Sequence, residues 1–236
     1  MIRTVFLDAG GVLVHPSWTR VSETLAAEGV SVPPRVLETA DRRARREIDE
    51  AALVRETNDA SRGWVYFNKV LTQARIPLTA QTDRALERLR EYHATENLWE
   101  HVPADVVPLL ERLRSEGRTL VVVSNANGRL HRLFDRVGLT RHVDVILDSH
   151  AWGVEKPDPG LFRLALEQSG GRAEETVHVG DLYHVDVAGA RAAGLAGAVL
   201  FDPGGLYPEA DCPRIPRLED LPAALDAFGP NPAVGA

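Results

Sequence analysis

The chain of 236 residues contains a single cysteine, Cys212, which rules out an internal disulfide and any cysteine-cluster metal site. Long apolar runs are missing too. The longest, Ala193 to Phe201, has nine residues, far short of the roughly 20 that an α-helical bilayer span needs. Near the N-terminus the only apolar stretch is broken by Asp8, so no secretory signal is expected. Positive charge is not in excess: 27 basic and 34 acidic side chains leave a net charge of −7, which argues against general nucleic-acid binding. Several motifs are absent, namely a Gly-x-Ser-x-Gly elbow, a Gly-x-x-x-x-Gly-Lys-Ser/Thr loop, a Gly-x-Gly-x-x-Gly fingerprint and a His-Glu-x-x-His pair. Lysine is nearly absent as well, with Lys69 and Lys156 the only two among 27 basic residues. These absences predict a cytoplasmic chain with neither membrane nor nucleic acid as a partner. Its charged share of 26% and apolar share of 44% exclude wholesale disorder.

Four short apolar segments stand out: Ile2 to Leu7, Thr119 to Val123, Val143 to Leu147 and Thr176 to Val179. Unalternating runs of this length fit strands covered on both faces of a parallel sheet. Between them lie helical patterns over Ala104 to Ser115, Gly128 to Val137, Pro159 to Gln168 and Val187 to Ala193. Gly117, Gly138, Gly170 and Gly194 stand where these helices should stop. Strand, loop and helix in repetition predict an α/β fold, a doubly wound Rossmann-like parallel sheet, with Gly197 to Phe201 as a last strand.

One region departs from this rhythm. From Pro16 to Leu98 the pattern is helical throughout, with breaks at Gly29 to Pro34, near Asp59 to Gly63, and at Pro77. This predicts an all-helical insert of about four helices over 16–98, within a core of 1–15 and 99–228. The basic stretch Asp41 to Glu47 reads as a solvated helix face, because Asp41, Glu47, Asp49 and Glu50 offset its arginines. Residues 229–236 have no periodicity and read as a frayed tail.

Open parallel sheets bind ligands beyond the carboxyl ends of their strands. Asp8, Ser124 with Asn125, and Asp181 with Asp186 all fall there, and Lys156 follows the third strand by a short loop. Each has an ordinary alternative: Asp8 can cap a turn, Ser124 can cap a helix, and the Asp181–Asp186 loop can be turn plus N-cap. Together they bring carboxylates, a hydroxyl and an ammonium to one edge. Two carboxylates five residues apart suit Mg²⁺, which takes hard oxygen ligands and completes its shell with phosphate. A chain that otherwise uses arginine keeps a lysine where a compact ammonium is wanted.

In this order and spacing the residues resemble the haloacid dehalogenase superfamily. Asp8, in Asp8-Ala9-Gly10-Gly11-Val12-Leu13, matches the nucleophile of its first motif, and Ser124 the hydroxyl of the second. Lys156, in Val154-Glu155-Lys156-Pro157-Asp158, matches the third, and Asp181 with Asp186 the acidic fourth. The resemblance implies a Mg²⁺-dependent phosphatase acting on a small phosphate ester, with residues 16–98 as a helical cap. Asp8 would attack phosphorus, and Mg²⁺ would meet Asp8, the Gly10 carbonyl, Asp181 and Asp186. Lys156 would neutralise Asp8, while Ser124, Asn125, the backbone at Gly11, and His184 would contact substrate. One position departs from the pattern: family phosphatases carry an acid–base aspartate where this chain has Gly10. His184, Tyr183 and His15 are candidate substitutes. The alternatives are a metal-independent 2-haloacid dehalogenase, disfavoured by the paired Asp181 and Asp186, and a weakened phosphate- or partner-binding protein. Trp18, Arg20, Trp64 and Tyr66 of the insert either line a cleft or pack the bundle.

Overall fold

The computed structural model describes residues 1–50, 54 and 59–228, of which 59–64 by backbone alone. The chain divides into two compact units, Met1–Leu13 with the chain from Val102 onward, and Val14–His101. Among the described residues, no helix is long and apolar enough to cross a membrane.

The first unit is built on a six-stranded parallel sheet. Its strands are β1 (Thr4–Leu7), β2 (Thr119–Ser124), β3 (Val145–Asp148), β4 (Thr176–Gly180), β5 (Gly197–Phe201) and β6 (Arg214–Ile215). The spatial order is β3-β2-β1-β4-β5-β6. The chain therefore runs outward from β1 on one side and returns on the other, which puts the switch in winding between β1 and β4. Register fixes what meets there: Leu7 pairs with Val122 on one side and with Val179 on the other. Val5, Phe6 and Leu7 are fully buried, as are Val121, Val122 and Val123. A strand covered on both faces has no solvent side, hence the continuous apolar runs. The expected strands lie within two residues of the observed ones. The sheet does not end at β5, however: β6 adds a two-residue edge strand.

Helices flank the sheet, and local chemistry fixes their ends. The helix Pro159–Ser169 starts where the Asp158 carboxylate accepts the Gly160 N–H at 2.7 Å, with proline at its first position. It ends at Gly170, whose φ of 65° lies in the left-handed region that glycine enters without strain. Phe162 and Leu161 of this helix are fully buried in the cluster that contains Phe6, Val121 and Leu200.

Among its described residues, the second unit holds four helices: α1 (Trp18–Ala27), α2 (Pro34–Ile48), α3 (Asp59–Gln73) and α4 (Ala80–Thr95). The break expected near Asp59 to Gly63 does not fall inside that stretch, since α3 runs from Asp59 through Gly63; residues 55–58, just before it, lie outside the described residues. An interior glycine costs a helix only about 1 kcal/mol, and the buried Tyr66, Phe67, Val70 and Leu71 anchor this one. Helix α2 presents Leu37, Ala40, Asp41, Ala44 and Ile48 inward. Asp41 is therefore not on a solvated face: it is buried, accepting from Tyr66 Oη at 2.5 Å and Arg45 Nε at 2.8 Å. Arg42 and Arg43 are exposed. Trp18 and Tyr66 pack in the bundle core, and Arg20 pairs with Glu100 at 2.8 Å while lying 3.9 Å from the Tyr92 ring centre. The Trp64 side chain and the tail over 229–236 lie outside the described residues.

Candidate active site

Asp8 follows β1 directly, and its N–H donates to the Val179 carbonyl at 2.9 Å, so the backbone ladder carries it to the edge of β4. Its Oδ1 accepts the Ala9 N–H at 2.8 Å and the Lys156 ammonium at 2.9 Å. Among the described residues nothing donates to Oδ2. Gly11, with φ of 89°, turns the chain in a conformation open to glycine at no steric cost. The Leu13 N–H closes the turn on the Ala9 carbonyl at 2.9 Å.

Lys156 is held at both ends. Its N–H donates to Asn125 Oδ1 at 2.7 Å, and its carbonyl accepts from Asn125 Nδ2 at 2.9 Å. Asn125 thus ties the loop after β2 to the loop after β3. The ammonium reaches Asp186 Oδ1 at 2.7 Å as well as Asp8, with the side chain 1% exposed. Burial disfavours the charged amine, but Asp186 and Asp8 outweigh it and raise the Lys156 pKa above its ordinary value.

Asp186 sits on a π-helical turn, Tyr183–Val187, after β4. Such turns insert an extra residue that re-aims a side chain. Here the carboxylate comes to lie over Gly180: a Cβ at Gly180 would stand 2.1 Å from Asp186 Cγ. Asp186 Oδ2 accepts the Leu182 N–H at 3.0 Å, and Oδ1 is shared by Lys156 and His178 Nε2, the latter at 2.9 Å. Burial works against its ionisation, yet Lys156, followed by the His178 hydrogen bond, holds the carboxyl well below the usual carboxylate range.

Asp8, Asp181 and Asp186 each offer a carboxylate oxygen, and the three oxygens lie within 4.8 Å of one another. Three carboxylates against one ammonium leave the cluster two charges negative, and its donors are hard oxygens. That is the donor set and charge a divalent cation of the Mg²⁺ type requires, so the residues present fit the metal.

The other expected residues fall as follows. Ser124 is buried at the end of β2, two residues beyond the partner of Leu7, on the same carboxyl edge. Gly10 lies in the turn after Asp8. His184 lies between Asp181 and Asp186, its ring edge-on to Tyr183 at 5.2 Å. Tyr183 is drawn elsewhere, donating to Asp211 at 2.7 Å and accepting from Arg191 at 3.1 Å. The Asp211 hydrogen bond, with burial, raises its pKa above the ordinary value, which makes it a poor acid. His15, in the helical unit, has its pKa pushed down to about 3 by burial and by the charges of Arg45, His101 and Arg42. It is neutral near pH 7 and has no proton to give as an imidazolium. His178 and the pair of hydrogen bonds between Asn125 and the Lys156 backbone are site features that sequence reasoning missed. The signal for His178 was an imidazole within the otherwise apolar run Val177-His178-Val179.

A doubly wound sheet with an acidic cluster and a buried lysine at its switch point defines a hydrolase-type α/β site. The family model of haloacid dehalogenase-like hydrolases matches residues 2–194, and the chain belongs to that family. It is 34% identical over 145 residues to the bovine (Bos taurus) haloacid dehalogenase-like hydrolase domain-containing protein 3, covering 59% of this chain and 57% of that protein. It is 40% identical over 100 residues to the ribulose-1,5-bisphosphate 5-phosphatase of Halopiger xanaduensis, covering 42% and 41%. The matches thus span less than two thirds of these relatives. A HAD-hydrolase of Bacillus subtilis solved with magnesium shares the fold, with a TM-score of 0.70 at 17% identity over 95% of this chain and 99% of that one.

Proposed function

We propose that the chain is a Mg²⁺-dependent phosphatase that hydrolyses a small phosphorylated metabolite through an aspartyl-phosphate on Asp8. The observation that carries this reading is the Lys156 ammonium lodged between Asp8 and Asp186, with Asp181 completing the carboxylate cluster. Lys156 and the Ala9 N–H both engage Oδ1 of Asp8, which leaves Oδ2 as the attacking atom. Oδ2 forms a bond to phosphorus while the ester P–O bond breaks and its electron pair leaves with the alcohol oxygen. Water then attacks phosphorus, the P–Oδ2 bond breaks, and inorganic phosphate departs with Asp8 regenerated.

Asp8, the Gly10 carbonyl, Asp181 and Asp186 would hold Mg²⁺, which supplies charge neutralisation for two approaching anions. Ser124 and the backbone at Gly11 would meet the phosphate oxygens, stabilising charge as it develops. Lys156 holds Oδ1 of Asp8 in place by its 2.9 Å contact. With Gly10 in place of the usual acid, and with Tyr183 and His15 unsuited, His184 or solvent protonates the leaving oxygen. Esters with good leaving groups suit such a site. Residues 16–98 would serve as the cap that selects among substrates, and the cytoplasm is the expected compartment.

The test is hydrolysis of an aryl phosphate with Mg²⁺, with chelator, and by Asp8→Asn. Turnover is expected in the first case only. Turnover that survives chelation or Asp8→Asn removes the mechanism, and metal-free halide release from a 2-haloacid replaces it with dehalogenation.

A further inference from the structure

His178 occupies the third position of β4, between Phe6 and Ala198 in register, and is fully buried. Its environment is otherwise apolar: the Phe162 ring packs edge-on at 5.0 Å with an interplanar angle of 79°. A valine or leucine would fill such a position without desolvation cost. Nδ1 of the imidazole has no hydrogen-bond partner among the described residues, and leaving a buried polar atom unsatisfied costs about 1–3 kcal/mol. A buried polar group kept at that cost calls for a reason beyond packing. The other nitrogen supplies one. Nε2 lies 2.9 Å from Asp186 Oδ1. A carboxylate oxygen only accepts, so the proton sits on Nε2 and His178 is the donor. The same Oδ1 receives Lys156 at 2.7 Å, and Lys156 reaches Asp8 at 2.9 Å.

We propose that His178 is a positioning residue acting through Asp186: its Nε2–H fixes the oxygen that aims the Lys156 ammonium at Asp8. Three donors hold the Asp186 carboxylate: Leu182 N–H on Oδ2, and Lys156 and His178 on Oδ1. Of these His178 alone is carried by a sheet strand, beside the strand that delivers Asp8. Without it the carboxylate can turn about its Cβ–Cγ bond, and the long, flexible lysine follows. The catalytic part of this inference rests on the phosphatase reading above; the positional part does not.

The experiment uses the scarcity of lysine. With only Lys69 and Lys156 in the chain, ¹⁵N-lysine labelling gives two side-chain ammonium signals, and Lys69→Arg assigns the one belonging to Lys156. A buried, ion-paired ammonium exchanges its protons slowly and stays visible. In His178→Leu the Lys156 signal is expected to shift or to vanish through exchange, and in His178→Gln, whose amide N–H can replace Nε2–H, to return. Aryl phosphate turnover should follow, with kcat reduced about 10- to 100-fold in His178→Leu, KM nearly unchanged, and most of the rate restored in His178→Gln. Should His178→Leu fail to fold, His178→Asn, whose amide is too short to reach Oδ1, takes its place. A Lys156 signal unmoved in the folded variant overturns the proposal, as does a kcat equal to that of the wild type. A wild-type chain without turnover, its lysine signal still responding to His178, overturns the phosphatase reading alone.

Discussion

Gly180→Ala adds one methyl group to a site with no room for it. The new Cβ would stand 2.1 Å from Asp186 Cγ and 2.4 Å from both Cβ and Oδ2 of the same residue. Carbon atoms in contact sit about 3.5–4.0 Å apart, so about 1.5 Å of overlap must be relieved. Gly180 lies on a central strand and cannot retreat. Asp186 must therefore move, and a shift of that size breaks hydrogen bonds of 2.7 Å to Lys156, 2.9 Å to His178 and 3.0 Å to Leu182. Breaking a buried charge pair costs about 3–5 kcal/mol, against a total stability of about 5–15 kcal/mol for a typical domain. Gly194→Ala is the control: its φ is +72° and no atom lies within 4 Å of the added Cβ. Its cost should be the backbone term alone, about 1–2 kcal/mol. Urea unfolding followed by circular dichroism measures both, with aryl phosphate turnover alongside. Gly180→Ala is expected to lose about 3–5 kcal/mol against about 1–2 kcal/mol for the control, and to lose turnover under conditions where it remains folded. A Gly180→Ala chain within 1 kcal/mol of wild type and fully active would refute the packing of Asp186 against Gly180, where about 3–5 kcal/mol is expected.

The remaining predictions concern protons. Gly10→Asp should raise aryl phosphate turnover by up to about 10²-fold if a missing acid limits the rate; an unchanged or lower rate assigns the proton to another donor or shows that the turn needs glycine. The folded pKa of His15, about 3, lies below its ordinary 6.5. The unfolded chain thus takes up a proton below about pH 6.5 that the folded chain refuses, and stability falls as pH falls through that window, by about 1.4 kcal/mol per unit. Burial with Arg45, His101 and Arg42 around the ring causes the shift, so His15→Gln should flatten the urea-midpoint profile between about pH 6 and pH 4. Parallel profiles for the two chains would contradict it.

The strands were legible because burial on both faces leaves a continuous apolar run, and the residues after each run are the polar ones that a parallel sheet gathers. Asp8, Lys156, Asp181 and Asp186 could be brought to one edge on that ground. The edge strand Arg214–Ile215 could not be read, since two residues carry no period. Helix α3 runs through Gly63 because tertiary burial of Tyr66 and Phe67 outweighs a weak local preference. Asp41, among four arginines, reads as a surface charge, and only the partner Tyr66, 25 residues away, reveals it as buried. The pair of hydrogen bonds between Asn125 and the Lys156 backbone depends on how two loops meet, which no local pattern encodes. His178 was hidden for a related reason: a histidine within an apolar run reads as packing until the acceptor beside it is known.

The central claim is that Asp8 attacks phosphorus with a divalent cation in the carboxylate cluster. The measurement that meets it directly is peptide mass mapping of the protein acid-quenched during turnover of an aryl phosphate. With Mg²⁺ present, a phosphoryl group is expected on the peptide that carries Asp8, absent when the metal is chelated and absent in Asp8→Asn. A phosphoryl group on any other residue, or steady turnover with none on the Asp8 peptide, would contradict the account.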